Sequence, residues 1–194
     1  GLDVPELLGL ERSEFTRLWG RFIGLQRTIA TMAVPTAFAL TGHAPAGGIL
    51  LALFGDYRIM AAGGFKTGLN EVRIGLVVPE PPFAALRRLL GAASAERIVM
   101  EGEMMSSEQA AGIGLIDELA PSPGAVVERA VAWCENQLEK PRDAMLFTRA
   151  MARQDLHALF EQYDETRDER FIDLWYSEKS QETLRQMVAS LQKR

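Results

Sequence analysis

Two short segments hold residue types whose spacing could do chemistry. The first is Gly42-His43-Ala44-Pro45-Ala46-Gly47-Gly48. It opens residues 46–54, an apolar run of small and branched side chains without a charge, which predicts a buried helix. Glycine at the mouth of such a helix lets backbone N–H groups approach a ligand with no Cβ in the way. The first helical N–H groups have no acceptor within the helix, and the helix dipole favours negative charge there. That geometry can hold an anion or stabilise a developing oxyanion. A tight turn with close helix packing would use the same glycines. The second segment is Gly68-Leu69-Asn70-Glu71-Val72-Arg73-Ile74-Gly75-Leu76. Here one carboxylate, Glu71, sits among apolar neighbours. Buried, it would have a raised pKa and could act as a base near neutral pH. Exposed, it would pair with Arg73 or another cation, the commoner fate of a lone glutamate. The first segment is neither a Walker A loop nor a G-x-G-x-x-G fingerprint.

The elements that must position these segments follow from periodicity. Phe15, Leu18, Phe22, Ile23, Leu25 and Ile29 recur at helical spacing over 13–32, with Ser13 as the expected N-cap. Residues 34–40 read as a short buried strand with Pro35 at its beginning, and 57–61 as another. Strand, turn, glycine-rich helix and strand together are an α/β signature. Helices are expected over 81–90 and 94–100. Ser106 with Gln109 forms a capping box for a further one, which Gly112 and Gly114 stop before a last strand at 116–120. The remainder is helical in pattern. Val126, Val127, Ala130, Val131, Cys134 and Leu138 form one stripe after Pro123, Pro141 ends that helix, and 144–153, 156–176 and 180–193 continue. The chain thus divides into a core, 1–120, and a helical region, 121–194.

Composition bounds the function. The 194 residues carry 21 Lys+Arg against 26 Asp+Glu, a net charge of −5, which lacks the basic footprint of a nucleic-acid binder. Cys134 is the single cysteine, so no intrachain disulfide can form, as suits a reducing compartment. No apolar run approaches a membrane span, and no secretory signal is visible at the N-terminus.

Taken together and in order, these segments resemble the crotonase (enoyl-CoA hydratase/isomerase) superfamily. Gly1-Leu2-Asp3 is similar to the family's Ser-Ala-Gly-x-Asp segment, and 35–48 to its second oxyanion-hole motif. Asp56-Tyr57-Arg58-Ile59 is similar to its following strand. Gly102, Ser106, Glu108, Ala110, Gly114, Leu115, Ile116 and Asp117 are similar to its Gly…Ala-x-x-x-Gly-hydrophobic-hydrophobic-Asp segment. The likeness covers most of 1–155. Pro45 to Gly48 and Gly68 to Glu71 resemble the mitochondrial-type Δ3,Δ2-enoyl-CoA isomerase subgroup. The family's hydratases use two glutamates, and one of those positions is Leu50 here; the other is Glu71.

The resemblance implies an α/β fold with a ββα spiral core and a helical C-terminal trimerisation region. It implies a 3-enoyl-CoA to trans-2-enoyl-CoA isomerase of β-oxidation. Glu71 would shuttle the proton and the Gly47 N–H would donate to the oxyanion. Gly1, Leu2, Asp3, Val4 and Asn70 would contact the substrate. It implies no metal and no cofactor beyond the coenzyme A of the substrate, assembly as a homotrimer or hexamer, and residence in a bacterial cytoplasm or a mitochondrial matrix. The family's first strands, and the residue giving its other oxyanion N–H, would precede Gly1, so a chain beginning there is expected to be incomplete, inactive alone and open at its sheet edges. Residues 77–83 depart from the subgroup and are expected to reshape the acyl pocket. A second acid facing that pocket, Glu80 being the candidate, would favour hydratase, dienoyl isomerase or thioester hydrolase chemistry. A non-catalytic acyl-CoA-binding subunit would keep the fold alone. His43 is expected to bond to backbone and Cys134 to be a core thiol. Phe160, Tyr163, Phe171, Leu174 and Trp175 form a late aromatic stripe that either folds onto the chain's own core or packs on neighbouring subunits, and the resemblance to the family's trimers favours subunit contact.

Overall fold

The computed structural model describes residues 1–191. The chain opens with α1 (Val4–Leu7), capped by the Asp3 carboxylate, which accepts the Glu6 N–H at 3.2 Å. The long helix α2 (Arg12–Thr31) follows. It starts two residues earlier than Ser13 as N-cap would start it. Glu11 holds the N-cap, and its N–H donates to the Glu14 side chain at 3.3 Å in a reciprocal capping box. The buried stripe of α2 is Phe15, Trp19, Phe22, Ile23, Gln26, Ile29 and Ala30, whereas Leu25 faces outward.

The chain continues through β1 (Ala37–Leu40), β2 (Ala44–Pro45), α3 (Gly47–Ala52), β3 (Tyr57–Ala61) and β4 (Lys66–Gly68). A 3-10 turn at Glu71–Ile74 leads to α4 (Glu80–Leu90) and α5 (Ala92–Glu101). Then come β5 (Met105–Ser106), α6 (Ser107–Gly112) and β6 (Glu118–Ala120). The capping box at α6 forms as its sequence demands, with Ser106 and Gln109 bonded reciprocally at 2.9 and 3.2 Å. The C-terminal part holds α7 (Pro123–Leu138), α8 (Arg142–Ala152), α9 (Gln154–Glu161), α10 (Glu169–Trp175) and α11 (Glu178–Leu191). The single helix expected over 156–176 is thus broken in two, with a 3-10 turn at Glu165–Asp168 between the pieces. The Asp164 side chain caps that turn by accepting the Thr166 N–H at 2.9 Å, offering the backbone a local alternative to helix.

Two small sheets organise the core. In one, β1, β3 and β6 run parallel in the order β1-β3-β6, from Ala37 opposite Tyr57 to Ala61 opposite Ala120. In the other, β4 pairs parallel with β2 and antiparallel with β5. The two-residue outer strands of this second sheet, β2 and β5, are too short to show any period in the sequence. Helix α7 packs on the first sheet through Val126 and Ala130 against Ile59, Ala61 and Ala120. The rest of the stripe expected on α7 lies outside: Val127, Val131 and Leu138 are exposed, and Cys134 is half-buried beside a surface groove instead of in a core.

Charged residues clasp these layers. Asp117 accepts the Arg58 N–H at 2.8 Å and pairs with its guanidinium at 2.7 Å, joining β3 to the start of β6. Asp56 ties the far helices to the core. It accepts from the Thr36 N–H, from both Arg149 fork nitrogens at 2.8 Å, and from Arg153 at 3.1 Å. Burial pushes the Asp56 carboxyl up, but the Arg149 and Thr36 hydrogen bonds and the two guanidinium charges outweigh it and hold the pKa below its ordinary value.

The late aromatic stripe does not wait for another subunit. Phe160, Phe171 and Trp175 are buried in this chain's own core, where α10 stacks on α2. One apolar core therefore runs from Leu7 to Leu184.

Candidate active site

Strand β2 is short because it must deliver a turn. Ala46, just after it, has φ 41° and ψ −113°, the only positive φ of a non-glycine residue among those described. Such a conformation costs on the order of 1–3 kcal/mol and persists only where the surroundings impose it. Here the Ala46 N–H donates to the Gly68 carbonyl at 2.9 Å, extending the β2–β4 ladder by one bond. The bend aims the first N–H groups of α3, beginning with Gly47, out of the helix end with no partner inside it.

The segment at residues 1–4 lies against this helix mouth. A side chain at Gly47 would meet Leu2 at 3.1 Å from its Cγ and 3.2 Å from its backbone N. One at Gly1 would meet the Pro45 carbonyl at 3.2 Å. The two glycine-bearing segments, far apart in sequence, can touch because neither carries a Cβ there.

The second candidate segment closes the other side. Gly68 has φ 157°, and a Cβ there would fall 2.5 Å from the Glu103 carbonyl. The 3-10 turn that follows sets Glu71 at its first position. Gly75 ends the turn in the left-handed region at φ 81°, and a Cβ there would fall 2.5 Å from Ser180 Oγ. That serine donates to the Gly75 carbonyl at 3.1 Å, so α11 is pinned directly onto the turn.

Glu71 is 3% exposed, and neither carboxylate oxygen has a hydrogen-bond partner. It does not pair with Arg73, which reaches outward to Glu103 at 3.0 Å and to the Glu101 carbonyl. Burial raises the Glu71 pKa to about 7, with its own backbone N–H pulling weakly the other way. The neighbouring Asn70 Oδ1 is also buried and unpartnered.

These groups converge on one cavity of about 200 Å³. Gly1, Leu2, Val4, Gly47, Asn70 and Glu71 all line it, whereas Asp3 caps α1 and is not in its wall. Leu50, one turn into α3, lines it too. Glu71 is the single ionisable side chain among the described lining residues. Glu80 is exposed at the start of α4 and is not part of the wall. His43 accepts the Lys66 N–H through Nδ1 at 3.0 Å and steadies the β2–β4 pair. The cavity's far wall comes from Phe15, Trp19 and Phe22 of α2 and from Phe171, Trp175, Leu184 and Met187 of α10 and α11. Trp19 escaped the periodic reading of α2. Its place one turn after Phe15 on the same face was the signal available. Among the described residues no group of three His, Cys, Asp or Glu could hold a metal ion, and no helix is long and apolar enough to cross a membrane.

An apolar cavity thus lies between a strained helix mouth and one desolvated carboxyl, carried on a mixed α/β core. The sequence matches the enoyl-CoA hydratase/isomerase family over residues 1–193, and the chain belongs to that family. It is 35% identical over 161 residues to a protein of Mycobacterium avium named probable enoyl-CoA hydratase echA17, covering 83% of this chain and 60% of that protein. It is 34% identical over 122 residues to the mouse mitochondrial enoyl-CoA delta isomerase 1, covering 62% of this chain and 42% of that one. The crystal structure of the human mitochondrial delta3-delta2-enoyl-CoA isomerase superposes with a TM-score of 0.87 at 26% identity, over 100% of this chain and 75% of that one. The chain spans about 60% of the length of curated mycobacterial relatives that it matches.

Proposed function

We propose that the protein isomerises 3-enoyl-CoA thioesters to trans-2-enoyl-CoA, as a step of fatty-acid β-oxidation. The observation that carries this reading is the solitary acid: Glu71 is the single ionisable side chain among the described residues lining an apolar cavity, and Leu50, which also lines it, holds the place that the resemblance gives to the second glutamate of the family's hydratases. The thioester carbonyl oxygen lies at the mouth of α3, where the Gly47 N–H donates to it. Glu71 removes a proton from C2, and the negative charge spreads over the dienolate towards the carbonyl oxygen. The protonated Glu71 then returns the proton to C4. A base that must first accept and then release a proton works best with a pKa near the working pH, and burial places Glu71 there, at about 7. Each oxyanion donor is worth about 3 kcal/mol of barrier stabilisation. Gly1, Leu2 and Val4 would flank the thioester, and Asn70 would contact the acyl part beside the base. Coenzyme A enters as part of the substrate, and the chemistry drawn needs no other cofactor.

Conversion of 3-hexenoyl-CoA by the full-length protein, wild type against Glu71→Gln, tests the reading. Full activity in the variant would remove Glu71 from the mechanism. The relatives named as hydratases favour a second reading, hydration of 2-enoyl-CoA. Hydration of crotonyl-CoA at a rate above that of isomerisation would establish it and displace the first. Assembly as a homotrimer or hexamer is proposed on the exposed apolar residues of α7 and α8, where Leu138 is 83% and Phe147 69% exposed. Charged substitutions there should shift the sedimentation of the protein to smaller species.

A further inference from the structure

The cavity that Glu71 lines is blind at one end. Exposure among its lining residues is one-sided: Gly1 is exposed, and Leu2, Val4, Asn70, Ile74 and Met187 are half-buried. Phe15, Trp19 and Phe22 of α2 and Phe171 and Trp175 of α10 are all buried. A ligand therefore enters beside residues 1–4 and the turn that carries Glu71, and the aromatic rings form the floor.

Ring packing closes that floor. Phe15 stacks on Trp175 with centroids 4.4 Å apart, and Trp19 on Phe171 at 3.8 Å. Phe22 tilts against Trp19 at 5.5 Å. The two helices are also tied beyond the rings, because the Tyr176 hydroxyl donates to the Leu10 carbonyl at 2.8 Å and Arg12 pairs with Asp173. A ligand atom cannot pass between α2 and α10 without unstacking the rings, and extra carbons forced into a packed interior are costly.

Size then sets a length. An apolar cavity of roughly 150 Å³ takes a six-carbon ring, or about 25 Å³ for each carbon. At that ratio the 200 Å³ here takes about eight carbons. The count includes the thioester carbonyl carbon at the mouth of α3 and C2 to C4 at Glu71, because Gly47 and Glu71 line the same space. With the reacting carbons held there, a longer chain cannot slide back towards the entrance.

We infer that the protein takes short and medium acyl chains, up to about eight carbons, and that the ring floor of α2 and α10 excludes longer ones. This rests on the reading above, in which the carbonyl lies at Gly47 and the reacting carbons at Glu71. Trp19 and Phe22 are then specificity residues for chain length.

The test measures dissociation constants by calorimetry with the full-length protein and saturated acyl-CoA thioesters, butanoyl to tetradecanoyl, which cannot isomerise. Affinity should rise about fourfold with each added carbon as far as octanoyl, the gain from burying one methylene. There the rise should stop, leaving dodecanoyl-CoA at least roughly tenfold short of the affinity extrapolated from the shorter chains. Trp19→Leu and Phe22→Leu lower the floor, and either should carry the rise on by about two carbons or more. Circular dichroism checks that each variant is folded. A rise that runs unbroken to tetradecanoyl overturns the inference, as does an affinity independent of length. A break near octanoyl that stays in place in both folded variants overturns it too. If neither variant folds, the wild-type series decides alone. Absence of isomerisation by wild type removes the proposed reaction and leaves the break measurable, whereas isomerisation without a break sinks the length limit alone.

Discussion

Replacing Glu71 with glutamine should make the protein more stable at neutral and alkaline pH while abolishing proton transfer. The side chain is almost fully buried, and neither oxygen has a partner, so nothing offsets the loss of hydration when the carboxyl ionises. Its pKa rises from an ordinary 4.5 to about 7. In the window between those values the folded state binds a proton that the unfolded state has released. Stability contributed by the neutral carboxyl is therefore fully present below pH 4.5 and is lost as pH rises through about 7. At 1.36 kcal/mol per tenfold change, the loss is about 3 kcal/mol. Glutamine has nearly the shape of the protonated acid and cannot ionise. The variant should match wild type at pH 4.5 and exceed it by about 3 kcal/mol at pH 8.5, a rise in Tm of roughly 6–12 °C for a chain of this size. Urea unfolding followed by circular dichroism across that range measures the difference directly. The variant's isomerase activity should fall at every pH. Wild-type kcat/KM should rise with pH through about 7, as the base ionises. Parallel stability profiles for wild type and variant from pH 4.5 to 8.5 would refute the reasoning, because they would mean that the carboxylate is not desolvated.

Three further substitutions probe other parts of the structure. Asp56→Ala removes the acceptor shared by Thr36, Arg149 and Arg153 and leaves two largely buried guanidinium groups facing one another. Urea midpoints should report a loss of about 3–5 kcal/mol at pH 7. Because the folded pKa of Asp56 is lowered, that difference should shrink as pH falls through the folded value, where wild type loses the same interactions. Gln26→Met replaces a fully buried amide whose nitrogen and oxygen both lack partners with an apolar side chain of similar length. It should stabilise by about 1–2 kcal/mol in thermal unfolding. Gly47→Ala puts a methyl group 3.1–3.2 Å from Leu2 and forces the segment at residues 1–4 and the mouth of α3 apart, where the proposed reaction places the oxyanion. Steady-state kinetics should show kcat/KM falling about 100-fold, with little change in the circular dichroism spectrum.

The local chemistry of the site was legible because its signals are local. A glycine pair opening an uncharged run, and a lone glutamate between glycines, each occupy fewer than ten residues, and the structure brings Gly47, Asn70 and Glu71 to one cavity. The capping box at Ser106 and the span of α7 were readable for the same reason. What the pattern could not give is which apolar stripe finds a partner within the chain. Val127, Val131 and Leu138 sit at helical spacing with Val126 and Ala130, yet only the latter pair meets the sheet. The aromatic residues of α10 look like an unpartnered face until Asp164 caps a turn that breaks the helix and folds them onto α2.

The same long-range packing is what desolvates Glu71. Its own neighbours, Asn70, Val72 and Arg73, would leave it an ordinary surface carboxylate, and Arg73 even offers a cation two residues away. The sequence therefore left its pairing with Arg73 open. The choice is made largely by residues more than 100 positions further on. Ser180 fixes the Gly75 end of the turn, and Trp175, Leu184 and Met187 exclude water from the cavity that Glu71 lines, while Glu101 and Glu103 draw Arg73 outward. It follows that loosening α11 should act on the chemistry through the base. Ser180→Ala, which removes the bond to the Gly75 carbonyl, should let water reach Glu71 and lower its pKa. The acid limb of the kcat/KM profile would then move below pH 7, while a side chain that merely held the fold together would change the activity and leave that limb in place.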